Sequence, residues 1–148
     1  MQDEISIAIA SDADMVPARA EGRALAERLG FSRTDATLIA TAISEVGRNI
    51  LVHAGSGEIV LSPLYEDGRQ GVGVTARDQG PGISDIDAAL RDGYGSRGGL
   101  GLGLPGARRL MDEFDITSRV GEGTVVTMKK WRERDELELL RETHTRRG

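Results

Sequence analysis

From Ser32 to Ile50 the chain carries a long amphipathic pattern, in which Leu38, Ile39, Ala42, Ile43, Val46 and Ile50 recur at helical spacing. A helix with so broad an apolar face needs a flat apolar partner, and the rest of the chain offers strands to build one. Ile5, Ile7 and Ile9 alternate with Glu4, Ser6 and Ala8, the period of a strand with one buried face. Two further alternating runs, Glu58–Tyr65 and Gly71–Arg77, flank "EDGRQ", where Asp67–Gly68 suits a tight hairpin turn. "FDITSRV" and "TVVTMKKW", separated by Gly121–Glu122–Gly123, read as a closing hairpin. Pro17 opens a helical run that reaches Leu29 and stops at Gly30, and another helix is expected from Pro105 to Phe114. Ser32 with Asp35 resembles a capping box at the start of the central helix, with Asp in place of the usual Glu or Gln. Helices and hairpins in this order imply a two-layer α/β sandwich, a mixed or antiparallel sheet covered on one face by helices. Periodicity alone does not fix the strand order.

The chain's 148 residues are enough for one domain with a substantial core. Its formal charge of −5, with no clustered Lys/Arg stripe, argues against a nucleic-acid binder, which needs a positive face. The absence of cysteine excludes disulfides, zinc–thiolate sites and a thiol nucleophile. "MQDEISIAIA" carries acids where a secretory signal needs bases, and no apolar run approaches the roughly 18 residues of a membrane span. A soluble, cytoplasmic protein is the expectation. Twenty glycines are many for this length, and most lie between Gly55 and Gly123, where they suggest backbone chemistry and not a linker. Residues 132–148 mix acids and bases with only three leucines, and are expected to form a solvated terminal helix or tail.

Three stretches carry chemistry. Glu45 and Asn49 lie four residues apart, so they share a helix face with Leu38 and Ala42. Alone, such a pair reads first as a polar rim to the core, solvated or paired with Arg48. With a ligand nearby, an Asn carbonyl is a hard donor suited to Mg²⁺, and a Glu one turn away can orient or deprotonate a nucleophile. "GSRGGLGLGLPGARRL" matches the dinucleotide pattern at Gly101, Gly103 and Gly106, but no buried strand precedes it, and no P-loop string occurs. What remains is a run of unobstructed backbone N–H groups at Gly98, Gly99, Gly101 and Gly103 opening into a helix, an arrangement able to bind anions or to close over them. In "RDQGPGI", Asp78 ends an alternating run and can accept from an exocyclic amine, while Gly80 and Gly82 leave room for a planar base. Thr124 offers a hydroxyl on the closing hairpin. "DQGPG" also suits a plain turn.

In sequence, these stretches resemble the GHKL ATPase superfamily, the Bergerat-fold nucleotide-binding domain of histidine kinases, gyrase-type ATPases, Hsp90 and the anti-sigma-factor kinases. The resemblance spans residues 1–131. "AISEVGRNI" resembles the N box, which implies Glu45 as catalytic base and Asn49 as the Mg²⁺ ligand. "DQGPGI" resembles the first glycine box, which implies that Asp78 accepts from the adenine amine of ATP. "GGLGLGL" is similar to the lid and second glycine box, which implies phosphate contacts from Gly98, Gly99, Leu100, Gly101, Leu102 and Gly103. Arg97, just before these glycines, is placed to reach a terminal phosphate, although a solvated loop Arg is an equal alternative. "GEGT" resembles the element that places Thr124 near adenine.

The strings "ATAISEVGRNI", "ARDQGPGI" and "GLGLGLPGARRLMDEF" are similar to those of the small switch-protein kinases of the anti-sigma-factor kinase branch. That implies phosphorylation of Ser or Thr on a STAS-domain antagonist and, after release, activation of a PP2C-type phosphatase in a stress-response module. The alternatives are a direct anti-sigma factor, a detached histidine-kinase domain and a binding module without turnover. His53 and His144 are the only histidines, and neither lies in a long two-helix hairpin, which counts against the histidine-kinase alternative. His53, near the end of the central helix, reads as a rim or capping residue.

Overall fold

The computed structural model describes residues 4–83, 85, 86, 90, 103–133 and 140. A five-stranded sheet in the order β1-β2-β3-β5-β4 forms the floor of the molecule. Its strands are β1 (Ile5–Ile9), β2 (Gly57–Glu66), β3 (Arg69–Asp78), β4 (Glu113–Arg119) and β5 (Gly123–Trp131), and every neighbouring pair runs antiparallel. Among the described residues, helices α1 (Met15–Arg28), α2 (Arg33–His53) and α3 (Gly103–Leu110) form the second layer.

The local chemistry accounts for most of the boundaries. Helix α1 begins at Met15, after a single 3-10 turn at Asp12–Asp14, so Pro17 sits inside the first turn, where its missing N–H costs nothing. At the start of α2 the Ser32 hydroxyl accepts from the Asp35 N–H at 3.1 Å. Asp67 and Gly68, with φ of 52° and 76°, form a two-residue turn of the twist that matches its strands, so β2 and β3 run right up to it.

Helix α3 is shorter than the expected Pro105–Phe114. Met111 and Asp112 bend away, the Asp112 N–H bonds the Lys129 carbonyl at 2.9 Å, and the Asp112 carboxylate accepts from the Trp131 N–H at 2.7 Å. Phe114 then pairs with Met128 as part of β4. Sheet pairing overrides helical spacing in this stretch.

Helix α2 is the keel. Ile39, Ile43, Val46 and Ile50 are fully or almost fully buried, in one apolar cluster with Ile9, Ile59, Leu61, Val72, Val74 and Met128 of the sheet. Each such side chain contributes about 1.5–3 kcal/mol. Gly22 and Gly47 let α1 lie close against α2, because a Cβ at Gly22 would strike Ile43 and one at Gly47 would strike Met15.

The sheet's covered face changes character at one end. Along β3 the inward positions are Val72, Val74 and Ala76, and the next is Asp78. Asp78 pairs with Gly57 on β2 and with Thr124 on β5, and Thr124 pairs with Ser118 on β4. The last rung of the inner face is therefore polar, in register across three adjacent strands, and it defines where a polar ligand can meet the core.

Candidate nucleotide site

Helix α2 holds the first half of the site. Glu45 is 8% exposed on the face that otherwise carries Ala42, Val46 and Ile50, and Asn49 is half-buried one turn later. Burying a carboxylate at that depth is costly unless something polar meets it, which marks Glu45 off from an ordinary surface acid. Both side chains line a shallow open recess together with Arg48, Val52, His53, Gly103 and Leu104. The far wall of that recess is the start of α3. A helix N-terminus presents N–H groups without intrahelical partners, so the recess pairs an acid and an amide with an anion-seeking element.

The polar rung holds the second half. Asp78 is 8% exposed, and its Oδ1 accepts from the Gly80 N–H at 2.9 Å, which turns the chain sharply at the strand end. Thr124, 4% exposed, stands beside it as its cross-strand partner. Its hydroxyl lies 2.8 Å from that of Ser118, which also accepts from the Ile83 N–H at 2.7 Å. The Gly121 N–H donates to the Pro81 carbonyl at 2.8 Å, so the glycine loop after β3 is tied at two points to the β4–β5 hairpin.

The glycines of this loop have a packing task that sequence reasoning did not assign. A Cβ at Gly80 would meet Ala54 at 2.6 Å and the His53 carbonyl at 3.1 Å. One at Gly82 would strike the Arg119 carbonyl, and φ there is +80°. These residues let the loop settle between the end of α2 and the last hairpin. The same contact joins the halves of the site, since His53 lines the recess beside Glu45 and Asn49 while its own carbonyl touches the loop beside Asp78.

Of the residues expected to take part, Glu45, Asn49 and Gly103 converge on the recess, and Asp78, Gly80, Gly82 and Thr124 converge on the polar rung. Arg97, Gly98, Gly99, Leu100, Gly101 and Leu102 lie outside the described residues. Ser118 was missed, although a signal existed. In "FDITSRV", Phe114, Ile116 and Ser118 share one phase, so a hydroxyl falls where the alternation calls for an apolar side chain. No helix among the described residues is long and apolar enough to cross a membrane.

The chain belongs to the histidine kinase-like ATPase domain family, whose model matches residues 9–130. The superfamily resemblance carried by the motifs is thereby borne out. Within that family the chain is 47% identical over 131 residues to the serine/threonine-protein kinase RsbT of Bacillus subtilis, an alignment covering 88% of this chain and 98% of that one. The anti-sigma F factor of Geobacillus stearothermophilus is more distant, 32% identical over 120 residues, with 76% of this chain and 81% of that protein covered. Among solved structures, that of the RsbU and RsbW domains of a Mycobacterium tuberculosis protein superposes with a TM-score of 0.60 at 22% identity, over 89% of this chain and 34% of that one. The mycobacterial sensor histidine kinase MprB superposes with a TM-score of 0.52 at 15% identity, over 91% of this chain and all of the other. At such identities the two structural likenesses speak for the fold alone.

Proposed function

We propose that the chain is an ATP-dependent serine/threonine protein kinase that phosphorylates a STAS-domain antagonist in a stress-response partner-switching module and, once released, activates a PP2C-type phosphatase. The observation that carries the kinase reading is the recess that sets the buried Glu45 carboxylate and the Asn49 amide against the start of α3. The 47% identity to RsbT, over 98% of that protein, supports serine/threonine as the acceptor class, and the partner classes are those that the motif resemblance implies. The catalytic domain is taken to span residues 1–131, with 132–148 as an appended charged tail, in keeping with a family match that stops at residue 130.

In this reading adenine lies against the polar rung, with its amine donating to Asp78 Oδ2 while Oδ1 stays with Gly80. Thr124 completes the contact, and Gly80 and Gly82 shape the loop beneath. The phosphates extend toward α3, where Gly103 and the preceding residues Arg97, Gly98, Gly99, Leu100, Gly101 and Leu102 would receive them through backbone N–H groups and one guanidinium. No group of three or more His, Cys, Asp or Glu side chains able to hold a metal occurs among the described residues. Asn49, however, offers one hard oxygen, which suits an ion that takes few protein ligands and leans on phosphate and water, so Mg²⁺ fits here. When bound, Mg²⁺ would neutralise charge on the phosphates. Glu45 takes the proton from the acceptor hydroxyl as its oxygen attacks the γ-phosphorus, and ADP leaves with the electrons of the broken O–P bond.

The test is phosphotransfer from radiolabelled ATP to a purified STAS-domain protein encoded beside this chain, with the modified residue mapped by mass spectrometry. Label on Ser or Thr is expected, and its absence with every neighbouring STAS protein would overturn the kinase reading. The similarity to anti-sigma F factors favours one second reading, a chain that binds a sigma factor directly. Co-purification with a sigma factor in place of the phosphatase would select it.

A further inference from the structure

Ser118 sits on β4 at the end of the polar rung, in contact with three different groups. Its Oγ accepts from the Ile83 N–H at 2.7 Å, donates to the Gly123 carbonyl at 3.1 Å, and lies 2.8 Å from the Thr124 hydroxyl. A serine hydroxyl has one proton and two acceptor sites. The Ile83 N–H takes one acceptor site, and a carbonyl cannot donate, so the bond to Gly123 consumes the only proton. In the remaining contact Thr124 must then be the donor, filling the second acceptor site. The hydrogen-bonding capacity of Ser118 is complete in that arrangement.

This has a consequence for Thr124. With its own proton directed at Ser118, it presents only lone pairs to whatever approaches the rung. Its cross-strand neighbour Asp78 is a carboxylate, and therefore also an acceptor. Both are almost fully buried, at 4% and 8% exposure, so a mismatched ligand group could not be relieved by water.

We propose that Ser118 is a positioning residue that fixes Thr124 as an acceptor and so makes the rung selective for a purine bearing an exocyclic amine at the 6-position over one bearing a carbonyl there. The proposal rests on the reading that Asp78 and Thr124 meet the base. Guanine would set its carbonyl against two acceptors, whereas adenine places a donor between them. Without Ser118 the Thr124 hydroxyl is free to rotate and donate, and the discrimination narrows. Ser118 also holds the Ile83 N–H, so its loss loosens the loop that carries Gly80 and Gly82.

The experiment is calorimetric titration of ADP and GDP into the full chain and its variants, with thermal melts as a control on folding. Wild-type protein should favour ADP. In Ser118→Ala the ratio of ADP to GDP affinity should fall by about 3–10-fold, the equivalent of one hydrogen bond, and Ser118→Thr, which restores the hydroxyl, should recover the ratio. A purely structural role would weaken both nucleotides together and leave the ratio unmoved, and that result overturns the proposal while the reading of the site stands. Should Ser118→Ala not fold, Thr124→Val serves instead. Its ratio should drop to the same extent, and an unchanged ratio is again fatal. Wild-type protein that binds ADP and GDP alike, or neither, overturns the reading of the base site and this proposal with it.

Discussion

Replacing Gly123 with Ala should damage both the fold and the site, and its neighbour Gly121 provides the control. Both have backbone conformations that L side chains rarely adopt, with φ of +101° at Gly123 and +82° at Gly121. Forcing Ala into such a conformation costs on the order of 1–3 kcal/mol. The two differ in their surroundings. A Cβ at Gly121 would meet nothing within 4 Å, whereas one at Gly123 would strike the Asp78 carbonyl and stand 2.9 Å from the Gln79 Cα. The Asp78 carbonyl belongs to a paired strand and Gln79 follows it directly, so relief requires β3 and β5 to separate at the Asp78–Thr124 rung. Overpacking of this kind adds about 1–3 kcal/mol. Gly121→Ala should therefore lose about 1–3 kcal/mol and Gly123→Ala about 2–6 kcal/mol, out of a typical total of about 5–15 kcal/mol. In a domain of this size each kcal/mol moves the melting temperature by about 2–4 °C or a little more. Differential scanning calorimetry on the pair reads the difference, and ADP titration reads the site. Gly123→Ala should bind ADP more weakly because Asp78 and Thr124 no longer stand side by side, and Gly121→Ala should bind it normally. Equal melting temperatures for the two variants would refute the collision argument, and undiminished ADP binding by Gly123→Ala would refute the placement of base recognition on this rung.

Other substitutions separate the remaining roles. Asp78→Asn should weaken ATP binding by about 1–3 kcal/mol, the cost of a mismatched buried polar contact, and calorimetry on ATP and GTP checks both the loss and the initial preference for ATP. Glu45→Ala should leave nucleotide affinity nearly intact while phosphotransfer falls by about 10²–10⁴-fold, the range for a lost general base, so wild-type turnover in a single-turnover assay would make Glu45 structural. Asn49→Ala should remove most of the dependence of ATP affinity on Mg²⁺, measured by titration with and without chelator, and an unchanged dependence would place the ion elsewhere. Phe114→Asp should destabilise the domain by placing a charge against Met128 on the covered face of the sheet, visible as a lower midpoint in urea unfolding.

How far the structure could be read from the sequence depends on what fixed each part. The strands were legible because period-2 alternation and turn residues act locally, and Asp67–Gly68 set the β2–β3 register at its source. Helix α2 was legible because its stripe is long and its Ser32 cap is local. The placing of β5 between β3 and β4 was not, since pairing Val74 with Met128 involves residues far apart in the chain and leaves no periodic trace. The end of α3 was misplaced for a related reason. Glu113 and Phe114 fit a helix by spacing, and only Lys129, Trp131 and Met128 on the returning strand of the last hairpin make them the start of β4. In the site, side chains with unusual chemistry stood out, while those acting through other side chains did not. Glu45 and Asp78 are acids in apolar phases, and that conflict with the pattern exposed them. Ser118 breaks the pattern more quietly, because a lone serine in a short edge strand is easily tolerated. Its meaning comes from Ile83, Gly123 and Thr124, three groups that meet only after the glycine loop has folded back onto the last hairpin. What local chemistry could not give was therefore this closure, which Gly80, Gly82 and Gly123 make sterically possible by having no Cβ where backbone must pass backbone.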